Sequence, residues 1–250
     1  MPASLQLIPV LDLMGGQVVR ARAGLRDEYL PLQSRLCQSS RPEAVVEGLL
    51  SLFPFRHLYI ADLDAILGQG SHQTTLESLR RAHPELEFWV DAGFANVEAA
   101  RIWQSKGLGR PVLGSESLSE VPARSVFPVG GVLSLDFRGD DFLGPTALVR
   151  EAGHWPSDVI VMTLARVGMS EGPDLARLEE LRRLAPACRL YAAGGVRHAA
   201  DLVELTQAGA AGVLLASALH DGAISRTELA ALRAGIPAPG PGRFVQAKIH

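Results

Sequence analysis

The sequence predicts an α/β protein, a (β/α)8 TIM barrel built from two half-barrel repeats. Three observations carry this reading. Eight short apolar runs are spread over 250 residues, with helix-like segments between them. Each run is apolar throughout rather than alternating, as expected for a parallel strand buried on both faces. Features of the second half repeat those of the first at a nearly constant spacing. An open doubly wound sheet is the rival architecture, and it gives no reason for eight such regular units.

The runs are LQLIPVLD (5–12), HLYIADL (57–63), EFWVD (87–91), RPVLG (110–114), VGGVLSLD (129–136), DVIVMT (158–163), RLYAA (189–193) and GVLLA (212–216). Helical signals fall between them. Pro42 suits the first helical position of PEAVVEGLL. Asn96 can cap NVEAARIWQS, with Glu98 in the first turn. After Pro173–Asp174, leucines at 175, 178, 181 and 184 step along one face. HAADLVELTQ (198–207) follows the seventh run, and Ser225 with Glu228 forms a capping box for the last helix. One barrel is expected over residues 1–235, with halves at about 1–125 and 126–235; GIPAPGPGR opens a Pro/Gly-rich tail over 236–250.

The repeat is read from matched positions. Gly93 to Gly195 and Ser115 to Ser217 are each 102 residues apart, and Asp62 to Thr163 is 101. Asp12 and Asp136 are 124 apart because the first half carries a longer first loop, roughly residues 14–40. The two aspartates therefore end strands one and five, on opposite sides of the barrel mouth where chemistry is done in this fold.

Composition narrows the function. With a formal net charge of −3, no nucleic acid or anionic membrane partner is expected. No apolar run nears the length of a membrane span, and the N-terminus lacks a basic-then-apolar leader. Two cysteines, Cys37 and Cys188, make no disulfide framework and fit free thiols in the cytoplasm. The seven histidines are scattered without paired spacing, so no metal is expected. There is no GxGxxG, P-loop or nucleophile motif either, and no cofactor is expected.

Two opposed carboxylates suffice for acid–base work if one gives a proton and the other takes one. Thr163, at the end of strand six, lies near Asp136 in the ring and could orient a hydroxyl. Capping of a following turn is the alternative role for each aspartate, as for Asp62. AAGGV and ASAL end strands seven and eight. Gly194 and Gly195 let backbone N–H groups approach an anion, and Ala216–Ser217 starts a helix. A small phosphorylated metabolite is the expected partner. Phe88, Trp89 and Trp103 read as packing.

These stretches, IPVLDLMGGQVVRARAG (8–24), ADLDAILGQG (61–70), LSLDFRG (133–139), IVMT (160–163), YAAGGV (191–196) and VLLASAL (213–219), resemble the HisA/HisF family of half-barrel enzymes of histidine biosynthesis, on the HisA side. The resemblance implies an aminoaldose-to-aminoketose (Amadori) isomerisation without metal or cofactor. It implies Asp12 as the base at C2, Asp136 as the acid that opens the sugar ring, and Thr163 as an assistant. It also places Arg20, Gly168, Asp91, Gly93 and Ser115 among the substrate- and phosphate-facing positions.

The departures are specific. The family's strand-three loop, three glycines followed by an apolar residue and Arg, holds one of two substrate phosphates. Here it reads DAGFA (91–95), with Ala95 in the place of the Arg. A phosphate dianion about 5 Å from an ionised Asp91 would be repelled by roughly 7 kcal/mol at an effective dielectric of about 20. The strand-four loop adds Glu116, and the strand-six loop, LARVGMSEGPD, lacks the family's Asp-Gly-Thr. One well-bound phosphate is expected rather than two. The resemblance thus implies a HisA-like enzyme with a changed substrate, and extends to paralogues linked to tetrahydromethanopterin one-carbon metabolism. The alternatives are an authentic histidine-pathway isomerase and a non-catalytic phospholigand-binding barrel.

Overall fold

The computed structural model of the protein describes residues 5–234. The tail over 236–250 and the residues on which the leader was judged lie largely or wholly outside that range. All eight predicted strands form: β1 Gln6–Met14, β2 His57–Asp62, β3 Glu87–Asp91, β4 Arg110–Gly114, β5 Val132–Arg138, β6 Asp158–Thr163, β7 Arg189–Ala193 and β8 Gly212–Leu215. They pair in parallel in chain order. β8 returns to β1, with Gln6 opposite Gly212 and Pro9 opposite Leu215, so the sheet closes into a (β/α)8 barrel.

The expected helices form at Pro42–Leu52, Val97–Ser105, Leu175–Leu184, Ala199–Gln207 and Arg226–Arg233. Asn96 and Asp174 cap theirs through side-chain oxygens, and the Ser225–Glu228 capping box is complete. A further helix, Gln73–Ala82, fills the gap after β2. Between β4 and β5 the connection is a single 3-10 turn, Arg124–Val126, in place of a helix. No helix among the described residues is long and apolar enough to cross a membrane.

Positions matched between the halves share backbone conformation. Gly93 and Gly195 have φ of +69° and +85°. Asn96 and His198, also 102 apart, precede their helices at φ −160°, ψ 172° and φ −156°, ψ 175°. These agreements support the reading of the halves as repeats.

Successive side chains on a strand face opposite ways, so closure sorts the strands into two cores. Ile8, Tyr59, Trp89, Ile160 and Tyr191 pack inside the barrel, and the complementary set packs under the helices. Near the N-terminal ends of the strands the interior is sealed. Trp89 and Tyr191 meet edge to face at 4.9 Å. The Tyr191 hydroxyl donates to Asp158 Oδ1 at 3.1 Å. The buried Asp158 also pairs with Arg110 at 2.5 Å and Arg189 at 2.6 Å. Arg110 lies 4.7 Å from the Trp89 ring centre. With this floor in place, the cavity above Trp89 belongs to the C-terminal mouth.

The floor depends on Asp158, which joins Tyr191, Arg110 and Arg189. Asp158→Ala should lower unfolding stability by about 3 kcal/mol in urea titration, because two guanidinium groups lose a shared buried partner. A loss below about 0.5 kcal/mol would contradict this role.

Candidate active site

Asp12 and Asp136 occupy matching places at which a barrel strand rises into a hairpin. β1 continues through the turn at Gly15 and Gly16, with φ of +55° and +77°, into the strand Gln17–Arg20, and Asp12 lies opposite Val19. β5 turns through Gly139 into the strand Asp141–Leu143, and Asp136 lies opposite Leu143. On β1, Asp12 has the inward parity of Ile8 and Val10; on β5, Asp136 has that of Val132. Both carboxyls line one cavity at the mouth.

Asp136 is held closely. Ser134 Oγ donates to Oδ1 at 2.6 Å, and the Glu116 backbone N–H reaches Oδ2 at 3.2 Å. Asp12 makes no side-chain hydrogen bond among the described residues. Burial pushes both carboxyls up to about 7, against the pull of Arg26 on Asp12 and of the Ser134 hydroxyl on Asp136. At neutral pH each can therefore serve in either protonation state.

A third carboxyl shares the cavity. Asp91 points inward above Trp89 and is pushed up to about 7 by burial, with its Oδ1 accepting from Gly93 N–H at 3.0 Å. Its Oδ2 and that of Asp136 converge over Gly114, where a Cβ would sit 3.0 and 3.3 Å from them. Glu116 from the β4 loop completes this end and is ion-paired with Arg26 of the first loop.

The opposite side of the cavity is built from backbone. Gly194 and Gly195, with φ of +104° and +85°, and Ala216 and Ser217 line it. The N–H groups of these four residues donate to no acceptor among the described residues. At β3 and β4, Gly93 N–H is taken by Asp91, Ser115 N–H by the Ser134 carbonyl, and Glu116 N–H by Asp136. One end of the cavity can receive an anion, and the other carries its own.

Two loops roof the site. Ala23 N–H donates to the Val167 carbonyl at 2.8 Å. Gly168 has φ +71°, and a Cβ there would lie 2.2 Å from the Ala21 carbonyl oxygen, so only glycine lets these loops touch. The first loop thereby brings Arg26 and Tyr29 over Asp12. Sequence reasoning did not find these two, nor Tyr59 and Arg138 on the cavity wall. Only the length of the first loop pointed toward Arg26 and Tyr29.

Of the expected site residues, Asp12, Asp91, Asp136, Gly168, Gly194, Gly195, Ala216 and Ser217 line this cavity. Four others do not. Thr163 has the parity opposite to Ile160 and Met162, so its hydroxyl leaves the barrel and lies 3.4 Å from Asp174 Oδ2. Arg20 is held by Asp221 through bonds of 2.9 and 2.5 Å, away from the cavity. Ser115 is fully buried behind Asp136, its Oγ accepting from Asp136 N–H at 2.9 Å and donating to the Leu143 carbonyl at 2.6 Å. Gly93 packs on the loop after β2, where a Cβ would lie 2.8 Å from Ile66 Cα. Asp62 caps its following turn and binds His72. Among the described residues no group of three or more His, Cys, Asp or Glu is placed to hold a metal ion.

Comparison with known proteins matches this chain over residues 6–225 to a family described as "Histidine biosynthesis protein". A protein of Symbiobacterium thermophilum named as a phosphoribosyl-imidazole-4-carboxamide isomerase is 28% identical, covering 91% of this chain and 96% of its own. A Myxococcus xanthus protein of the same name is 27% identical over 91% of this chain and 99% of its own. A Methanocaldococcus jannaschii protein named only as uncharacterized is 26% identical over 90% of this chain and 97% of its own.

The raised carboxyls set a pH dependence of stability. A carboxyl near 3.8 unfolded and about 7 folded favours the fold most below pH 4, and that contribution is lost as pH rises to about 7. Asp91→Asn should therefore flatten the decline between pH 4 and 7. At pH 8 it should stabilise the protein by roughly 2 kcal/mol, within the range that about three pKa units allow. Thermal or urea unfolding against pH tests this, and an unchanged slope would contradict it.

Proposed function

The chain belongs to the histidine biosynthesis protein family, and we propose that it is a HisA-type isomerase acting on a changed, singly phosphorylated aminoaldose. The carrying observation is that Asp12 and Asp136 face one cavity from β1 and β5, each with a carboxyl pushed up to about 7. The names of the relatives support an isomerase.

In this reading the substrate is an N-glycosylamine, and its phosphate takes the free N–H groups of Gly194, Gly195, Ala216 and Ser217. Protonated Asp136 gives its proton to the ring oxygen as the C1–O bond breaks, and the nitrogen lone pair forms C1=N. Ionised Asp12 takes the proton from C2. The C2–H electron pair becomes C1=C2, and the C=N pair returns to nitrogen. The enaminol then gains a proton at C1 and loses one from the C2 hydroxyl, which yields the aminoketose. Ser134 and the Glu116 N–H hold Asp136 in place for the first step. Arg26 and Tyr29 line the cavity beside Asp12, and the charge of Arg26 favours the ionised form of Asp12 that the second step needs.

The change of substrate rests on the β3/β4 end. There Gly93 N–H and Glu116 N–H are occupied by Asp91 and Asp136, and Arg26 is taken by Glu116. A second phosphate would meet carboxylates in place of donors.

Turnover of aminoaldose phosphates by the purified protein tests the proposal, with the histidine-pathway bisphosphate included. Asp12→Asn and Asp136→Asn should each lower kcat by about 10²–10⁴-fold without loss of fold by circular dichroism. Ordinary turnover of the bisphosphate, at about 1–10³ per second, would show the histidine-pathway activity retained. A folded protein inert toward every aminoaldose phosphate would contradict the isomerase reading.

A further inference from the structure

We infer that the β3/β4 end of the cavity is a cation subsite, which binds a protonated amine of the substrate at Asp91, in the hollow it shares with Asp136 on the side lined by Tyr59. The inference deepens the isomerase reading and rests on it for the phosphate at the opposite end. It makes the substrate class an amino-sugar monophosphate that carries a free ammonium group.

The first support is Asp91. It is 7% exposed, and only one of its oxygens is satisfied. Oδ2 accepts no hydrogen bond among the described residues, and it shares with Asp136 Oδ2 the hollow over Gly114. An ammonium has three donors and no acceptor, so it suits a hollow bordered by the ionised Asp91 and an accepting oxygen of Asp136, which keeps its proton for ring opening. A neutral hydroxyl has one donor and gains less, and an anion is repelled.

The second support is independent of the acidic cluster. Tyr59 is 4% exposed and lies on β2 one inward position below Ala61, the residue paired with Asp91. Its hydroxyl neither donates nor accepts among the described residues, yet it is not sealed in the core; it opens on the same cavity. A buried tyrosine hydroxyl ordinarily finds a partner. Here the carboxylates Asp91, Asp136, Asp12 and Glu116 are all in electrostatic reach of it. Its oxygen lone pairs supply a further acceptor for an N–H group.

The third support is that the cation acting on Asp91 is already paired, while Arg138, the other basic group on this wall, lies by Gly24 of the first loop. Arg26, the basic side chain nearest this end, is committed to Glu116. The local charge is therefore left for a ligand to balance. With four free N–H groups at the β7/β8 end, the cavity is dipolar, and a ligand carrying a phosphate and an ammonium would lie across it in one orientation.

The test is calorimetric binding at pH 7 of glucosamine 6-phosphate, glucose 6-phosphate, fructose 1,6-bisphosphate and glucosamine to the full chain. Glucosamine 6-phosphate should bind at least about tenfold tighter than glucose 6-phosphate, as expected for a desolvated charge-assisted bond. Asp91→Asn should erase that preference while leaving the affinity for glucose 6-phosphate within about threefold. Tyr59→Phe, which keeps the ring and removes the hydroxyl, should reduce the preference about threefold or more. Equal binding of the two monophosphates, tighter binding of the bisphosphate, or a preference that survives Asp91→Asn would each overturn the inference. Failure of the phosphate reading alone looks different: glucosamine would still bind in an Asp91-dependent way, with no gain from its phosphate. That outcome supports the cation subsite. If none of the four binds, the subsite is refuted.

Discussion

Closure of the sheet, with Gln6 of β1 set against Gly212 of β8, is the constraint on which everything else depends. Once that register is fixed, every side chain on the eight strands is assigned to the interior or to the shell. The interior assignment stacks Trp89 on Tyr191 over the Asp158 ion pairs and lifts Asp12, Asp91 and Asp136 to the mouth. A register slip of one residue would exchange the two sets, sending three carboxyls under the helices. The floor and the site are thus consequences of one geometric choice.

That choice places the carboxyls where water is scarce, and burial is then the main force on each of them. Their surroundings differ. Among the described residues Asp136 is anchored by a hydroxyl and a backbone N–H, Asp12 stands without a side-chain hydrogen bond, and Asp91 has one free oxygen. Such differences let chemically identical groups take different roles. The two ends of the cavity differ as well. Free backbone donors face it at β7 and β8, whereas at β3 and β4 Gly93 and Glu116 already donate to carboxylates and Ser115 to a backbone carbonyl.

The strands were legible because runs such as DVIVMT and GVLLA are apolar throughout. The same property hid their facing. A strand buried on both sides shows no alternation, so nothing in IVMT alone says that Met162 turns inward and Thr163 outward. Asp12 and Asp136 were found because they break apolar runs at equivalent places. Gln73–Ala82 was missed because it buries only Leu76 and Leu79 in an otherwise polar stretch. Arg26 and Tyr29 lie on a loop without periodicity, and only contacts such as Ala23 with Val167 bring them over the cavity. Arg20 and Ser115 stood in plausible positions, but each side chain is spent on a neighbour. DAGFA stood out as an altered loop, whereas the convergence of Asp91 with Asp136 over Gly114 needed the fold.

The central claim is that the cavity has one anion-receiving end. A crystal structure of the protein soaked with a sugar bisphosphate tests it most directly. The account predicts one ordered phosphate, against the N–H groups of Gly194, Gly195, Ala216 and Ser217, with none at residues 91–95. Two equally occupied phosphates, the second against Asp91 and Gly93, would contradict it.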